Sequence, residues 1–182
     1  MSPRTVYYRQ VASPIGELLL TSNGSALTGV HMEPHTVGAD WRRDDALLGS
    51  AAEQLQSYFA GELREFDLTL TLDGTDFQRQ VWEALRVIPF GTAISYSELA
   101  RRIGKPTASR AVGAANGCNP IAIIVPCHRV IGADGTLTGY GGGLDRKRWL
   151  LRHEGVDLTI ATVRERTATA AEPRLVFSAP AD

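Results

Sequence analysis

The sequence predicts a two-part α/β (α+β) fold: an N-terminal antiparallel sheet with a helix, then a mainly helical domain holding a helix-turn-helix and a cysteine-bearing loop. Three observations predict it. Short β-rich runs separated by turn residues fill positions 1–73, helix-start signals followed by helical apolar periodicity fill 74–160, and the charge changes sign near the boundary. Positions 161–182 are rich in Ala, Thr, Pro and mixed charges, so a mobile tail is expected there.

Residues 6–11, 17–21 and 26–31 read as three strands. Ser13-Pro14-Ile15-Gly16 and Asn23-Gly24 supply the tight turns that make them an antiparallel meander. Residues 33–43 read as a loop. Across 44–60, Leu47, Leu48, Ala51, Leu55, Tyr58 and Phe59 fall near helical spacing, and Gly61 ends the run. Phe66, Leu68, Leu70 and Leu72 then alternate with polar neighbours, the pattern of a further strand.

Thr75 and Gln78 form a capping-box pattern ahead of Phe77, Val81, Trp82, Leu85 and Ile88, which share one helical face. Pro89-Phe90-Gly91 stops that helix. Ser95 and Glu98 repeat the pattern for a short helix through about Ile103, and Gly104-Lys105-Pro106 turns the chain. Ala108, Ala111, Val112 and Ala115 mark the inner face of a second short helix, completing a helix-turn-helix outline. Its outer face, Ser109, Arg110, Gly113, Ala114 and Asn116, is small apart from one arginine; such a face suits close approach to a groove, although many helical cores contain similar corners without touching DNA. Residues 121–125 read as an apolar strand leading into Cys127, 132–143 as a glycine-rich loop around Tyr140, and 144–154 as a helix ended by Gly155.

With 43% hydrophobic and 21% charged residues in 182, the chain has an ordinary globular balance and room for one sizeable core or two small ones. It has no uninterrupted apolar run of about 18 residues, and Met1-Ser2-Pro3-Arg4 opens into a strand rather than a signal peptide, so a cytoplasmic location and no membrane partner are expected. Cys118 and Cys127 are too few for a disulfide framework, and none of His31, His35, His128 and His153 stands at a finger spacing from either; no metal and no cofactor is implied. The net charge is −1, but unevenly placed: residues 33–76 hold 10 acidic and 3 basic side chains (−7), residues 77–152 hold 11 basic and 4 acidic (+7). Either the second half faces a polyanion, or the charges are merely spread unevenly over a solvated surface.

Pro126-Cys127-His128-Arg129-Val130 sets a thiol beside an imidazole. Alone, the pair leaves two readings open: a nucleophile with its base, or a cysteine packed as a small inert hydrophobe. The frame around it is more specific. Ser109-Arg110-Ala111-Val112-Gly113-Ala114-Ala115-Asn116-Gly117 and Asn119-Pro120 lie upstream; Gly139-Tyr140-Gly141-Gly142-Gly143-Leu144, Lys147, Leu150-Leu151 and Glu154-Gly155 lie downstream. In this order they resemble the active-site region of the O6-alkylguanine-DNA alkyltransferases, suicide repair proteins that move an alkyl group from damaged guanine onto their own cysteine. The resemblance is specific over about 75–155, looser before it around Ser13-Pro14-Ile15-Gly16, and absent after about 160.

The resemblance implies direct-reversal repair: irreversible, single-turnover transfer of the alkyl group of O6-alkylguanine, with O4-alkylthymine a second candidate, from duplex DNA to Cys127. Attack on a saturated carbon calls for a soft nucleophile, and a thiolate fits best once a base activates it. By resemblance His128 takes the thiol proton through a water, Glu154 holds the imidazole in the useful tautomer, and Tyr96 donates to the base nitrogen of the leaving guanine. The helix bearing Ser109, Arg110, Ala111, Gly113 and Ala114 enters the minor groove, with Arg110 filling the gap left by the flipped nucleotide. Asn119 ties the segment before Cys127 to that helix, the backbone of Cys127 and Val130 reads the guanine edge, and Tyr140 walls the pocket. Many relatives place a serine where Gly141 stands, so only the Gly141 N–H remains for the leaving oxygen. Arg129 is read as a framework ion-pair residue and Cys118 as a small residue at a helix end. Some relatives carry a structural zinc in the N-terminal part; with no cysteine before Cys118 that feature does not carry over.

The expected partner is double-stranded DNA containing O6-alkylguanine, met by a monomer, with cooperative assembly on DNA left open. Two other classes stay in view. Alkyltransferase-like modules bind the lesion without transfer but lack the cysteine, and a turnover cysteine hydrolase built on the same Cys-His-Glu group would leave no stable adduct.

Overall fold

The computed structural model describes residues 5–158, so the expected tail at 161–182 lies outside the described residues. Strands β1 (Tyr7–Val11), β2 (Leu18–Ser22) and β3 (Leu27–Met32) form the expected meander, Tyr7 facing Ser22 and Leu18 facing Met32. Gly16, at φ +103°, closes the first turn with its N–H on the Ser13 carbonyl, a backbone state that glycine adopts at no steric cost. The sheet is mixed rather than purely antiparallel. Part of the expected 33–43 loop, β4 (Arg42–Arg43), pairs parallel with β1 and gives the order β3-β2-β1-β4. Every residue of β2 is buried, as befits a strand covered on both faces.

Helix α1 (Gly49–Phe59) begins later than its apolar pattern suggests. The Asp44 carboxylate accepts from the Leu47 N–H at 2.9 Å, so the chain first makes a side-chain-closed turn and leaves Leu47 41% exposed. The strand expected over 66–72 is reduced to one parallel bridge, Leu70 to Leu27. Beside it, the Gln54 side chain bonds both the N–H and the carbonyl of Asp67, at 2.8 and 2.9 Å, and takes up groups a ladder would need.

Helix α2 (Asp76–Arg86) opens with the full Thr75–Gln78 capping box and buries Val81, Trp82 and Leu85. A two-residue strand, β5 (Ile94–Ser95), leads into α3 (Tyr96–Arg102), capped by the Ser95 hydroxyl on the Glu98 N–H. Gly104, at φ +71°, turns the chain toward α4 (Ser109–Gly117), and the Trp82 indole donates to the Ala115 carbonyl at 2.8 Å, fastening α4 to α2. The face assignment on α4 needs two corrections. Ala111 is exposed and Asn116 is 2% exposed, because the buried stripe passes through Val112, Ala115 and Asn116, where a polar partner awaits the amide.

The apolar run before Cys127 is not a strand. Ile121 makes one bridge to Val30, then residues 121–125 turn, the Val125 N–H reaching the Ile121 carbonyl at 2.9 Å and Ile123 sitting at φ +71°. The run is apolar because Ile121, Ile123 and Val125 are fully buried, and composition alone cannot separate a buried turn from a buried strand. A one-turn 3-10 helix, Cys127–Arg129, follows, then β6 (Val130–Ile131), paired parallel with β5, and α5 (Leu144–His153). One continuous buried cluster joins Leu20 and Leu55 of the first part to Val81, Leu99, Ile121 and Leu150 of the second. Among the described residues no helix is long and apolar enough to cross a membrane.

Candidate active site

Cys127 opens the 3-10 helix with 5% of its surface exposed. The preceding turn is bracketed by Asn119, whose Oδ1 accepts from the Ile121 N–H at 3.0 Å while its Nδ2 donates to the Val125 carbonyl at 2.8 Å. Asn119 therefore shapes the segment entering Cys127, while the tie to α4 is made by Asn116, whose Nδ2 donates to the Cys127 carbonyl at 3.3 Å.

Behind the thiol lies a carboxylate with no exposed side-chain surface. Glu154 Oε1 accepts from His128 Nε2 at 2.8 Å, from the Tyr58 hydroxyl at 2.8 Å and from Arg129 Nη2 at 2.9 Å; Oε2 accepts from Arg129 Nε at 2.8 Å and from the Gly91 N–H at 3.4 Å. Arg129 also donates to the Ile88 carbonyl, which fixes it as the ion-pair residue the sequence suggests. A carboxylate can only accept, so His128 Nε2 carries the proton and Nδ1, which meets no hydrogen-bond partner among the described residues, holds a lone pair. Burial alone would raise the Glu154 carboxyl, but His128 and Arg129 outweigh it and hold the group well below the usual carboxylate range.

Burial pushes the Cys127 thiol up, against the Asn119 amide and the Lys147 ammonium, and it pushes the His128 imidazole down, against Glu154. The resting pair is a thiol and a neutral imidazole. Lys147 is fully buried on α5, its Nζ donating to the Val130 carbonyl at 2.6 Å and the Thr138 carbonyl at 2.9 Å, 5.7 Å from the Tyr96 ring centre. Burial brings this ammonium down to about 8, while Cys127 pulls it upward.

The β5–β6 pairing, Ser95 opposite Ile131, sets Tyr96 beside the cysteine helix, and its hydroxyl donates to the Thr138 and Gly139 carbonyls at 3.0 and 3.3 Å. Tyr140 keeps a buried hydroxyl with no partner among the described residues. Cys127, Asn119, Tyr140 and Gly141 line one cleft of about 350 Å³; His128 and Glu154 stand behind it. Of the Cys127 and Val130 backbone groups expected to read a base, the carbonyls are already engaged by Asn116 and Lys147, each with a second lone pair left. Sequence reasoning missed Tyr58, taken for an apolar helix position, along with Asn116 and the role of Lys147. It also missed the opposite wall of the cleft, built by His31, Met32, His35 and Trp41.

On α4, Arg110, Ala111 and Ala114 are exposed, while Ser109 and Gly113 are half-buried, Gly113 beside the Tyr96 ring. Arg110 has no ion pair among the described residues, whereas Arg101 and Arg102 both bond Glu98. The +7 of residues 77–152 overstates the surface charge, because Arg129, Arg146 and Lys147 are buried.

Residues 6–72 match the model of the 6-O-methylguanine DNA methyltransferase ribonuclease-like domain, and residues 76–156 that of the 6-O-methylguanine DNA methyltransferase DNA binding domain. The chain is 57% identical over 152 residues to the methylated-DNA--protein-cysteine methyltransferase of Mycobacterium tuberculosis, covering 82% of this chain and 92% of that one. It is 50% identical to the protein of that name from Methanosarcina acetivorans, covering 82% and 99%. Among solved structures it is similar to Mycobacterium tuberculosis OGT in complex with DNA, with a TM-score of 0.78, 56% identity and coverage of 85% and 94%. It is also similar to the O6-methylguanine-DNA methyltransferase of Pyrococcus kodakaraensis, with a TM-score of 0.62, 26% identity and coverage of 84% and 100%.

Three outcomes are expected from this geometry. Glu154→Gln leaves Arg129 buried without a counter-charge, which costs about 3–5 kcal/mol. At roughly 2–4 °C per kcal/mol for a chain of this size, the melting temperature should fall by some 6–20 °C, against little change in Cys127→Ala. Because the folded Glu154 carboxyl is depressed, its stabilisation is present above the usual carboxylate range and lost as pH falls; the variant should therefore show a flatter acid limb in thermal melts across pH. Since burial raises the Cys127 thiol, its labelling by iodoacetamide should keep quickening past the ordinary cysteine value of about 8.5, and further still in Lys147→Met. A plateau below pH 8 would show a thiolate–imidazolium pair at rest instead.

Proposed function

Because the chain belongs to the 6-O-methylguanine DNA methyltransferase family, we infer that it repairs DNA by direct reversal, taking the alkyl group of O6-alkylguanine onto Cys127 once per molecule. The observation that carries the choice of acceptor is the buried thiol of Cys127, followed in sequence by a histidine held by a fully buried carboxylate. Cys118, exposed at the end of α4, has no such backing.

In this reading the extruded base enters the cleft with its O6-alkyl carbon toward the sulfur. The thiol proton passes through a water to His128 Nδ1, the S–C bond forms as the C–O6 bond breaks, and the electron pair stays on guanine oxygen. Glu154 keeps Nε2 protonated so that Nδ1 can accept, the role a buried acid plays toward a catalytic imidazole. Tyr96 turns its hydroxyl from the Thr138 carbonyl to the base nitrogen and neutralises the leaving anion. The Gly141 N–H serves the leaving oxygen, and the second lone pairs of the Cys127 and Val130 carbonyls read the guanine amino edge.

For duplex DNA, α4 enters the minor groove through its small exposed face and Arg110 fills the place of the flipped nucleotide. Extrusion costs a few kcal/mol, less for a lesion that pairs badly. The acting unit is a monomer, with a division between substrate-handling and supporting domains near residue 73 and a cytoplasmic setting. The reading of a lesion-binding module without transfer is disfavoured by the thiol itself.

Incubation with an oligonucleotide containing O6-methylguanine should add the mass of one methyl group per chain, on the peptide holding Pro126 to Arg129. Cys127→Ala should bind that DNA and gain nothing; repeated turnover or label on Cys118 would refute the assignment. Arg110→Ala should slow repair of duplex far more than reaction with free O6-alkylguanine base, and equal losses would remove Arg110 from the extrusion step.

A further inference from the structure

The cleft in front of Cys127 has two walls from distant parts of the chain. Asn119, Tyr140 and Gly142 belong to one; Met32, His35 and Trp41, from the end of β3 and the segment after it, belong to the other. The walls meet where the Met32 sulfur occupies the space a Cβ on Gly142 would need. We propose that Arg146 is a positioning residue that sets the distance between these walls, and through it the size of alkyl group the protein accepts. The inference rests on Cys127 being the alkyl acceptor.

Arg146 projects from the first turn of α5 and is 4% exposed. Its Nη1 donates to the Glu33 carbonyl at 2.8 Å and to the Gly142 carbonyl at 3.1 Å, so one nitrogen spans the two walls. Its Nε donates to the Ile15 carbonyl at 2.8 Å, and Nη2 stands 3.7 Å from the Glu33 carboxylate. Glu33 directly follows Met32, and Gly142 follows Tyr140 by two positions. A planar guanidinium fixes the directions of its donors, which a lysine ammonium cannot reproduce toward three carbonyls at once. Removing the fork leaves the buried Ile15 carbonyl and the part-buried Glu33 and Gly142 carbonyls short of a partner, and the segments that carry the last two shift toward water, no longer held to one nitrogen. The segment after β3 is the freer to shift, since the loop holding Gly142 continues directly into α5.

The test measures single-turnover transfer from duplex oligonucleotides carrying O6-methylguanine or O6-benzylguanine, and reads the benzyl-to-methyl ratio of rate constants alongside the melting temperature. Arg146→Ala and Arg146→Lys should both raise the ratio, by about tenfold, the lower end of what a pocket imposes for one methylene. Glu33→Gln, which keeps the backbone carbonyl, should stay near the wild-type ratio. Val11→Ala, a core change on β1 with no side chain in the cleft, should lower the melting temperature and leave the ratio unchanged. If Arg146→Ala does not fold, Arg146→Lys decides. A wild-type ratio in folded Arg146→Lys, or an equal rise in Val11→Ala, overturns the role of Arg146. A wild-type protein that transfers neither group would overturn the alkyl-acceptor reading instead.

Discussion

A single carboxylate with no access to water holds much of this molecule together. Glu154 takes hydrogen bonds from α1 through Tyr58, from the loop after α2 through Gly91, and from the cysteine helix through His128 and Arg129. An isolated buried carboxylate would cost several kcal/mol, so its five donors are a condition for folding rather than an ornament of the site. The same requirement brings the two parts of the chain into one core. Tyr58 comes from the N-terminal part, and around it His153 stacks on Trp149 while Phe59 packs against Trp149. The imidazole beside the thiol is thereby oriented by a framework that must exist before any substrate arrives.

What could be read from the sequence, and what could not, divides along physical lines. Local rules worked where local energetics decide: the Thr75–Gln78 box, the Ser95 cap and the turn glycines stand where the sequence puts them. The cysteine frame was legible because its residue types are unusual together. Periodicity failed for residues 121–125, where complete burial hides whether the backbone is extended or turned, and for 66–72, where a Gln54 side chain displaces a ladder. Tyr58 and Asn116 were missed for a shared reason. Tyr58 sits among apolar helix positions and Asn116 was placed on the outer face of α4, and only a tertiary partner reveals where each polar end is used. The charge count misled in a related way, since it weighs a buried arginine like an exposed one.

The division of labour between the halves is less simple than a DNA-reading part and a supporting part. Met32, His35 and Trp41 share the cleft with Cys127, and Arg146 returns from α5 to hold the backbone next to them. The N-terminal part therefore bounds the cleft. The resting protonation fits the same enclosure, because burial that excludes water also favours the uncharged thiol and imidazole.

Cys127, His128 and Arg129 form one helical turn, so any group fixed to the sulfur presses on a turn whose other two side chains are clamped to the carboxylate. Through Tyr58 that carboxylate reaches α1 in the N-terminal part. A load on that turn is thus shared with the N-terminal part and is not confined to the loop that carries the cysteine.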